Sequence, residues 1–316
     1  MRTIFLSLLF YIGSSIAGLS VAIGAECLYR GELANSYCDN NQDFLADTPD
    51  DPNLWVDPQT LIISFAPFGD YVATGTLFNP LLTYLESCLE RRVIFYPMQS
   101  NEAEIAAMRS GRLHIAGFST GSTVAAVNQA GAIPFATHGN HLGFVGAHLI
   151  VIVRSDSPYY KLSDLKNRRV IHSNATSLTG HLGALALFPK EGLMPGVDYP
   201  IIFSGKHDRS IQSVKSGDYD AATTTTEILE RMIQYREVDK DDFRIIYQSQ
   251  KFPSAALAYS YNLNPALQTN LRTCFFNYQF SPEMKQNFTG GEYFVPVDYQ
   301  KDWAEIRQIL KKMPTK

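Results

Sequence analysis

Apolar runs and polar breaks alternate along most of the chain with two different periods. Leu61-Ile62-Ile63-Ser64-Phe65 is an apolar run of strand length, and Leu77 to Leu89 carries apolar residues at helical spacing. Val93-Ile94-Phe95-Tyr96 predicts the next strand and Asn101 to Ser110 the next helix. Leu113 to Phe118 predicts a third strand, and Ser119-Thr120-Gly121-Ser122-Thr123 opens a third helix. After a long apolar run, Ala147 to Val153, the grammar repeats. Strands are predicted at Val170-Ile171, Ile201-Ile202-Phe203 and Tyr219 to Ala222, each leading into a helix, and another at Phe243 to Tyr247. Ala255 to Tyr259 forms a second long apolar strand before a helix at Leu267 to Phe276. Strands alternating with helices argue for βαβ units and mostly parallel sheets. Two such series, linked by long strands near 147–153 and 255–260, predict an α/β protein of two lobes with two crossover strands. Residues 58–148 plus 256–316 form lobe 1 and residues 149–255 lobe 2. Ligands of open α/β sheets bind beyond the carboxyl ends of strands, so the expected site is the interlobe cleft.

The N-terminus does not share this pattern. Residues 1–25 carry one charge, Arg2, then an apolar core and the small residues Ala22-Ile23-Gly24-Ala25, which read as a secretion signal. No later stretch approaches the ~20 uninterrupted apolar residues of a membrane span. Residues 26–57, rich in Asp, Asn and Pro, read as an extension packed on the surface. Within it Asp39, Asn41, Asp43 and Asp47 fall at the first, third, fifth and ninth positions of a loop, the spacing by which calcium loops converge oxygens on the ion. These four are therefore a candidate structural calcium set. Phe44, where such loops need Gly, and the short Asp50 at the twelfth position favour a solvated acidic turn instead. No other cofactor is expected.

Charge narrows the partners. The chain carries 27 basic and 31 acidic residues, net −4, and loss of the signal removes one further positive charge. A broad nucleic-acid-binding face is excluded as a main purpose. An anion would have to be held by local dipoles and hydrogen bonds. Four cysteines in an exported chain predict two disulfides. Cys27–Cys38 is the natural local pair, leaving Cys88–Cys274 to tie two distant helices, with two buried free thiols as the alternative for the second pair.

The stretch His172 to His181 stands between a buried strand and a helix and consists mostly of small or hydroxylated residues. A helix start presents backbone N–H groups without partners and favours negative charge. Such a turn is a candidate anion cradle, although N-capping by Ser177 or Thr179 explains the same letters. Hydrolase readings fail. Ser177, His207 and Asp208 do not make a triad, because adjacent His and Asp cannot orient one another. No GxSxG elbow, P-loop or metalloprotease spacing occurs.

Several loops, in order, resemble the periplasmic substrate-binding proteins of ABC importers for phosphonate, phosphite and related phosphorus oxyanions. The resemblance runs from Leu61 to Phe276. It is carried by Phe95-Tyr96-Pro97, by Ala106 to Ala116, by Asp156-Ser157-Pro158 with Leu162-Ser163-Asp164-Leu165-Lys166, by Ser177-Leu178-Thr179-Gly180, by Ser204 to Asp208 and by Tyr219 to Glu227. It implies a type II-like periplasmic-binding-protein fold and a ligand cradle on Ser177, Leu178 and Thr179. It further implies a ligand-contacting histidine at His207, an acidic residue at Glu227, and cleft-facing hydroxyls at Ser119, Thr120 and Ser122. Relatives that take aminoethylphosphonate use two carboxylates for the amine and tyrosines around the ethyl arm. Here the second carboxylate position falls on Ala255 or its neighbours, and the tyrosine positions fall on Asn101 and on Ala147 or His148.

These departures point to a smaller ligand, with phosphite or methylphosphonate favoured over phosphate. Leu178, where relatives place a hydroxyl, would then face a P–H or P–CH3 group. Glu227 would accept a proton from a P–OH group or stand as an ordinary first-turn glutamate. The expectation is a periplasmic, monomeric receptor without catalysis that delivers its ligand to an inner-membrane permease. The alternatives are a receptor for phosphate or another small oxyanion, or a sensory binding protein.

Overall fold

β1 (Thr60–Phe65), β2 (Arg92–Phe95), β3 (Ile115–Ser119), β4 (Ala132–Asn140) and β5 (Gly143–Phe144) alternate in their first part with α1 (Tyr71–Leu89), α2 (Asn101–Arg109) and α3 (Thr120–Ala130). The chain then builds β6 (Gly146–Arg154), β7 (Val170–His172), β8 (Ile202–Phe203), β9 (Ala221–Thr225) and β10 (Phe243–Pro253), with α4 (Gly183–Leu187), α5 (His207–Lys215) and α6 (Thr226–Gln234). It returns through β11 (Ala255–Ser260), α7 (Pro265–Asn277), α8 (Pro282–Asn287), β12 (Tyr293–Pro296), α9 (Tyr299–Asp302) and α10 (Ala304–Lys311). This computed structural model describes residues 27–65, 71–175, 177–253, 255–288 and 290–311, with the side chains of 71–76 not included. The signal segment expected at 1–25 lies outside the described residues.

Two sheets carry the fold. In the first the order is β12-β4-β11-β3-β1-β2, with β5 paired to β4. β1 is parallel to β2 and β3, and β11 enters antiparallel between β3 and β4. In the second the order is β10-β6-β9-β7-β8, with β7 parallel to β8 and β9 and β6 antiparallel to β9 and β10. The parallel strands carry the βαβ grammar legible in the sequence, and the antiparallel ones make the transfers. The long apolar strands expected to cross do not themselves do so. β6 lies wholly in the second sheet and β11 wholly in the first, and the chain passes between sheets once between Phe144 and Gly146 and once between Pro253 and Ala255.

β4 escaped the sequence reading because Pro134, His138, Gly139 and Asn140 interrupt its apolar pattern. Proline is tolerated there because the ladder slips. Leu257 pairs with Ala136 while the next residue, Ala258, pairs with Pro134, leaving Phe135 as the extra residue of a bulge.

The first sheet is covered on one face by a cluster that includes Leu61, Ile63, Leu81, Leu85, Leu271 and Phe275. The Cys88–Cys274 bridge joins α1 to α7 in this layer, and Cys27–Cys38 closes the N-terminal loop, so both expected pairings are present. The extension is more than a surface strap, because Leu33, Tyr37 and Ala46 are buried in the core. Its acidic loop turns its oxygens on its own backbone. Asp39 accepts from the amides of Asp43 (2.9 Å) and Phe44 (3.1 Å), Asn41 from Asp43 (3.1 Å), Asp43 from Leu45 (2.9 Å) and Asp47 from Asn40 (2.8 Å). Phe44 adopts the left-handed conformation (φ 69°) that calcium loops assign to Gly. Among the described residues no group of three or more His, Cys, Asp or Glu side chains is gathered as a metal-ligand set.

Candidate functional site

β7 ends at His172, and a helix winds from Leu178 onward. Ser177 caps that helix, its hydroxyl accepting from Gly180 N at 3.0 Å. The first turn, Leu178–Leu182, is wide, with the amides of both His181 (3.0 Å) and Leu182 (2.9 Å) directed at Ser177 O. Such π-turns recur at functional sites because they splay the backbone groups of one turn. Gly180 is the tight point of the cradle. A Cβ there would overlap Ser173 Oγ and come within 2.9 Å of His207 Cε1. Thr223 Oγ1 donates to Gly180 O at 2.5 Å and Ser173 N to the same oxygen at 3.1 Å, holding the turn from below.

His207 opens α5 and stands against this turn. Its Nε2 lies 3.0 Å from Ser177 Oγ and 3.5 Å from Ser173 Oγ, and its Nδ1 lies 3.1 Å from Thr224 Oγ1. Burial pushes its pKa down to about 4, against a small upward pull from Asp208, so the ring is neutral at neutral pH. Ser177 Oγ, which accepts from Gly180 N, keeps a second lone pair and its own proton, so it meets Nε2 as donor or acceptor according to the tautomer of the ring. Ser177, His207 and the Gly180 turn are thus brought together, with Thr179 half-buried beside them.

Two histidines that bracket the cradle form its base, a feature sequence reasoning left without a role. His172 Nδ1 lies 3.0 Å from His181 Nδ1, and His172 Nε2 lies 2.9 Å from Tyr199 OH. Burial, reinforced by His181, pushes His172 down to about 3, and burial lowers His181 as well. Their presence on either side of the hydroxyl stretch was the available signal. Their contact was not, since it depends on the width of the turn.

The first sheet supplies a second polar group. Asn101 Oδ1 accepts from Ser119 N at 2.9 Å, and Ser119 Oγ donates to Ser122 Oγ at 3.1 Å. Thr120 has a different job from the expected one. It is buried, its hydroxyl donates to Pro253 O at 2.6 Å, and its carbonyl accepts from Trp303 Nε1 at 3.0 Å, tying α3 to the returning chain. Leu178 also departs from expectation, because it is buried in a hydrophobic cluster with Val124, Val127, Ala184, Trp303 and Ile306. That cluster gathers α3, the cradle helix and α10, so the two hydroxyl-bearing helix starts share one apolar support. Glu227 stands exposed in the first turn of α6. Just before it, Thr225 holds a buried hydroxyl with no protein hydrogen-bond partner at the carboxyl end of β9, a candidate that the sequence offered only as one threonine among four.

The two α/β sheets, joined by two passages and carrying polar helix starts beyond their parallel strands, define a two-lobed binding protein. Residues 63–303 match the family model of the periplasmic phosphonate substrate-binding protein of ABC transporters, and the chain belongs to that family. It is 25% identical over 213 residues to the phosphonates-binding periplasmic protein of Escherichia coli K12, an alignment covering 66% of this chain and 63% of that protein. The chain thus spans under two thirds of that relative's length. It is 24% identical over 229 residues to the phosphate-import protein PhnD of Mycolicibacterium smegmatis, covering 69% and 71% of the two chains. Among solved structures, PhnD1 of Prochlorococcus marinus in complex with methylphosphonate superposes with a TM-score of 0.64 at 19% identity, over 81% of this chain and all of that one.

Proposed function

We propose that this protein is the substrate-capturing receptor of an importer, exported to the periplasm by its N-terminal signal and acting as a monomer. It closes two lobes around a small phosphorus oxyanion, phosphite or methylphosphonate, and presents the closed form to an inner-membrane permease without transforming the ligand. The observation that carries this reading is the Ser177-capped turn with His207 3.0 Å from the cap hydroxyl. First-turn amides and the Ser177, Thr179 and His207 side chains are donors to an oxyanion in a site of low polarity, where such bonds are stronger than in water. Ser119 and Ser122 supply hydroxyls from the other lobe. Asn101 orients Ser119, and Glu227 accepts from a P–OH group at the rim. Domain closure about the two passages buries the ligand.

Titration calorimetry of the mature protein against phosphite, methylphosphonate, hypophosphite, phosphate and aminoethylphosphonate tests the proposal. Phosphite or methylphosphonate is expected to bind most tightly. Absence of heat or thermal shift with all five would overturn it. The Mycolicibacterium relative, named for phosphate import, supports phosphate as the second reading. Preference for phosphate over both phosphite and methylphosphonate would establish that reading instead.

A further inference from the structure

α10 carries two faces of different chemistry. Ile306, Ile309 and Leu310 recur at helical spacing and turn into the core, Ile306 and Ile309 being buried. Arg307 and Lys311, four residues apart, share another face. The N-terminal extension meets that basic face. The Arg307 guanidinium lies 4.1 Å from the centre of the Phe44 ring, and Glu32 Oε1 lies 3.1 Å from Lys311 Nζ. Arg307 is fixed by its own donations to Tyr299 O at 2.5 Å and Gln300 O at 2.8 Å. The extension also grips α3, where Ala34 N donates to Asn128 O at 2.7 Å, and its Leu33 and Tyr37 are buried in the same cluster as Ile306. The segments joined in this way, residues 27–57 and α10, both lie outside the span 63–303 that matches the family.

The other side of α10 rests on both halves of the candidate site. It packs against α3, which begins at the Ser119–Ser122 hydroxyls, and against the Leu178–Leu182 turn that Ser177 caps. Leu178 lies in one buried cluster with Val124 of α3 and Ile306 of α10. Trp303, the residue before α10, ties it to α3 by donating to Thr120 O at 3.0 Å. Two passages alone form a hinge about which the sheets can turn. A helix packed on both sides fixes the angle, because close-packed interfaces hold discrete arrangements and do not deform continuously.

Resting for its ligand on the oxyanion-capture reading above, we propose that the extension and α10 form a clamp that sets the spacing between the two donor-bearing helix starts, one from each lobe. Phe44 and Arg307 are its positioning residues, and both act through α10 on the Leu178 turn. With the clamp engaged, the lobes stand near their capture angle before ligand arrives. Loosening it lowers the fraction of molecules ready to bind, and apparent affinity falls by the same fraction.

Pulsed dipolar spectroscopy tests this on the mature chain, with nitroxides on Glu102→Cys of α2 and Glu230→Cys of α6, exposed positions beside the first and second sheets. Without ligand, the otherwise wild-type chain is expected to give one distance, which moves little on adding phosphite or methylphosphonate. Phe44→Ala and Arg307→Ala are each expected to add a second distance without ligand. Arg307→Lys, which keeps a cation over the Phe44 ring, is expected to restore the single one. Calorimetry should show the better of the two oxyanions bound about two- to fivefold more weakly by both alanine variants, the size of one lost cation–aromatic contact. An unchanged ligand-free distance in both alanine variants would overturn the clamp, whatever the affinity does. A second distance with wild-type affinity would overturn it too. No binding of any phosphorus oxyanion by the wild type would overturn the capture reading, while the ligand-free distances still decide the clamp.

Discussion

Ser177 joins the helix cap to His207 through one side chain. Its oxygen accepts from Gly180 N and lies 3.0 Å from His207 Nε2, so removing it uncaps the turn and releases the imidazole together. Loss of the cap alone costs about 1 kcal/mol of stability. Loss of a hydrogen bond to a charged ligand costs about 1.5–3 kcal/mol, equivalent to at least about tenfold in affinity. Ser177→Ala is therefore expected to weaken the best oxyanion at least about tenfold by calorimetry while lowering the melting temperature only by a few degrees. Unchanged affinity would place the cradle elsewhere. Ser177 and His207 were legible in the sequence because hydroxyl caps and histidines after strand ends carry local signals. Thr120 and Leu178 take packing and support contacts that the sequence did not foresee, because the same letters serve ligand contact and packing equally well. Only the neighbours, Pro253 and Trp303 for the one and the Val124 cluster for the other, separate the two uses.

At the level of elements, α1 and α7 are far apart in the chain and packed in one layer over the first sheet, with Cys88 and Cys274 bridging a separation of 186 residues. A long closed loop restricts the unfolded chain strongly, and removal of such a bridge costs about 2–4 kcal/mol. The Cys88→Ser, Cys274→Ser double variant is expected to melt roughly 5–15 °C lower than the wild type in a calorimetric scan. The single bridge at Cys27–Cys38 spans 11 residues and should matter less. A larger effect from the short loop would contradict this. Helices and parallel strands were readable because their apolar periods are local. β4, β12 and the run of β10 beyond Tyr247 were not, because antiparallel strands with proline, glycine and polar positions acquire their partners from distant segments.

Across the whole molecule, several histidines are buried in the neutral form. Burial holds His138 and His207 at about 4 and His172 at about 3, and lowers His114 and His181. The unfolded chain binds these protons near pH 6.5 and the folded chain only at lower pH. Stability is therefore fully present above pH 6.5 and declines as pH falls toward 4, by up to about 1.4 kcal/mol per pH unit for each fully shifted group. Urea midpoints at pH 7.5, 6, 5 and 4.5 are expected to decrease in that order. A midpoint that holds steady down to pH 4.5 would contradict the neutral burial of these rings.

The sequence by itself determined the class of fold, offered both cysteine pairs and marked the hydroxyl turn and His207 as candidates, since period, composition and helix-start chemistry are properties of short segments. Tertiary structure decided which residues share a space. It joined His172 to His181 through a widened turn and gave Thr120 and Leu178 to the support between lobes. It also set Ala255 beside Ser119 across β11 and β3. Those outcomes depend on the width of one turn, on register and on contacts between distant segments, such as Thr120 with Pro253, which no local pattern encodes.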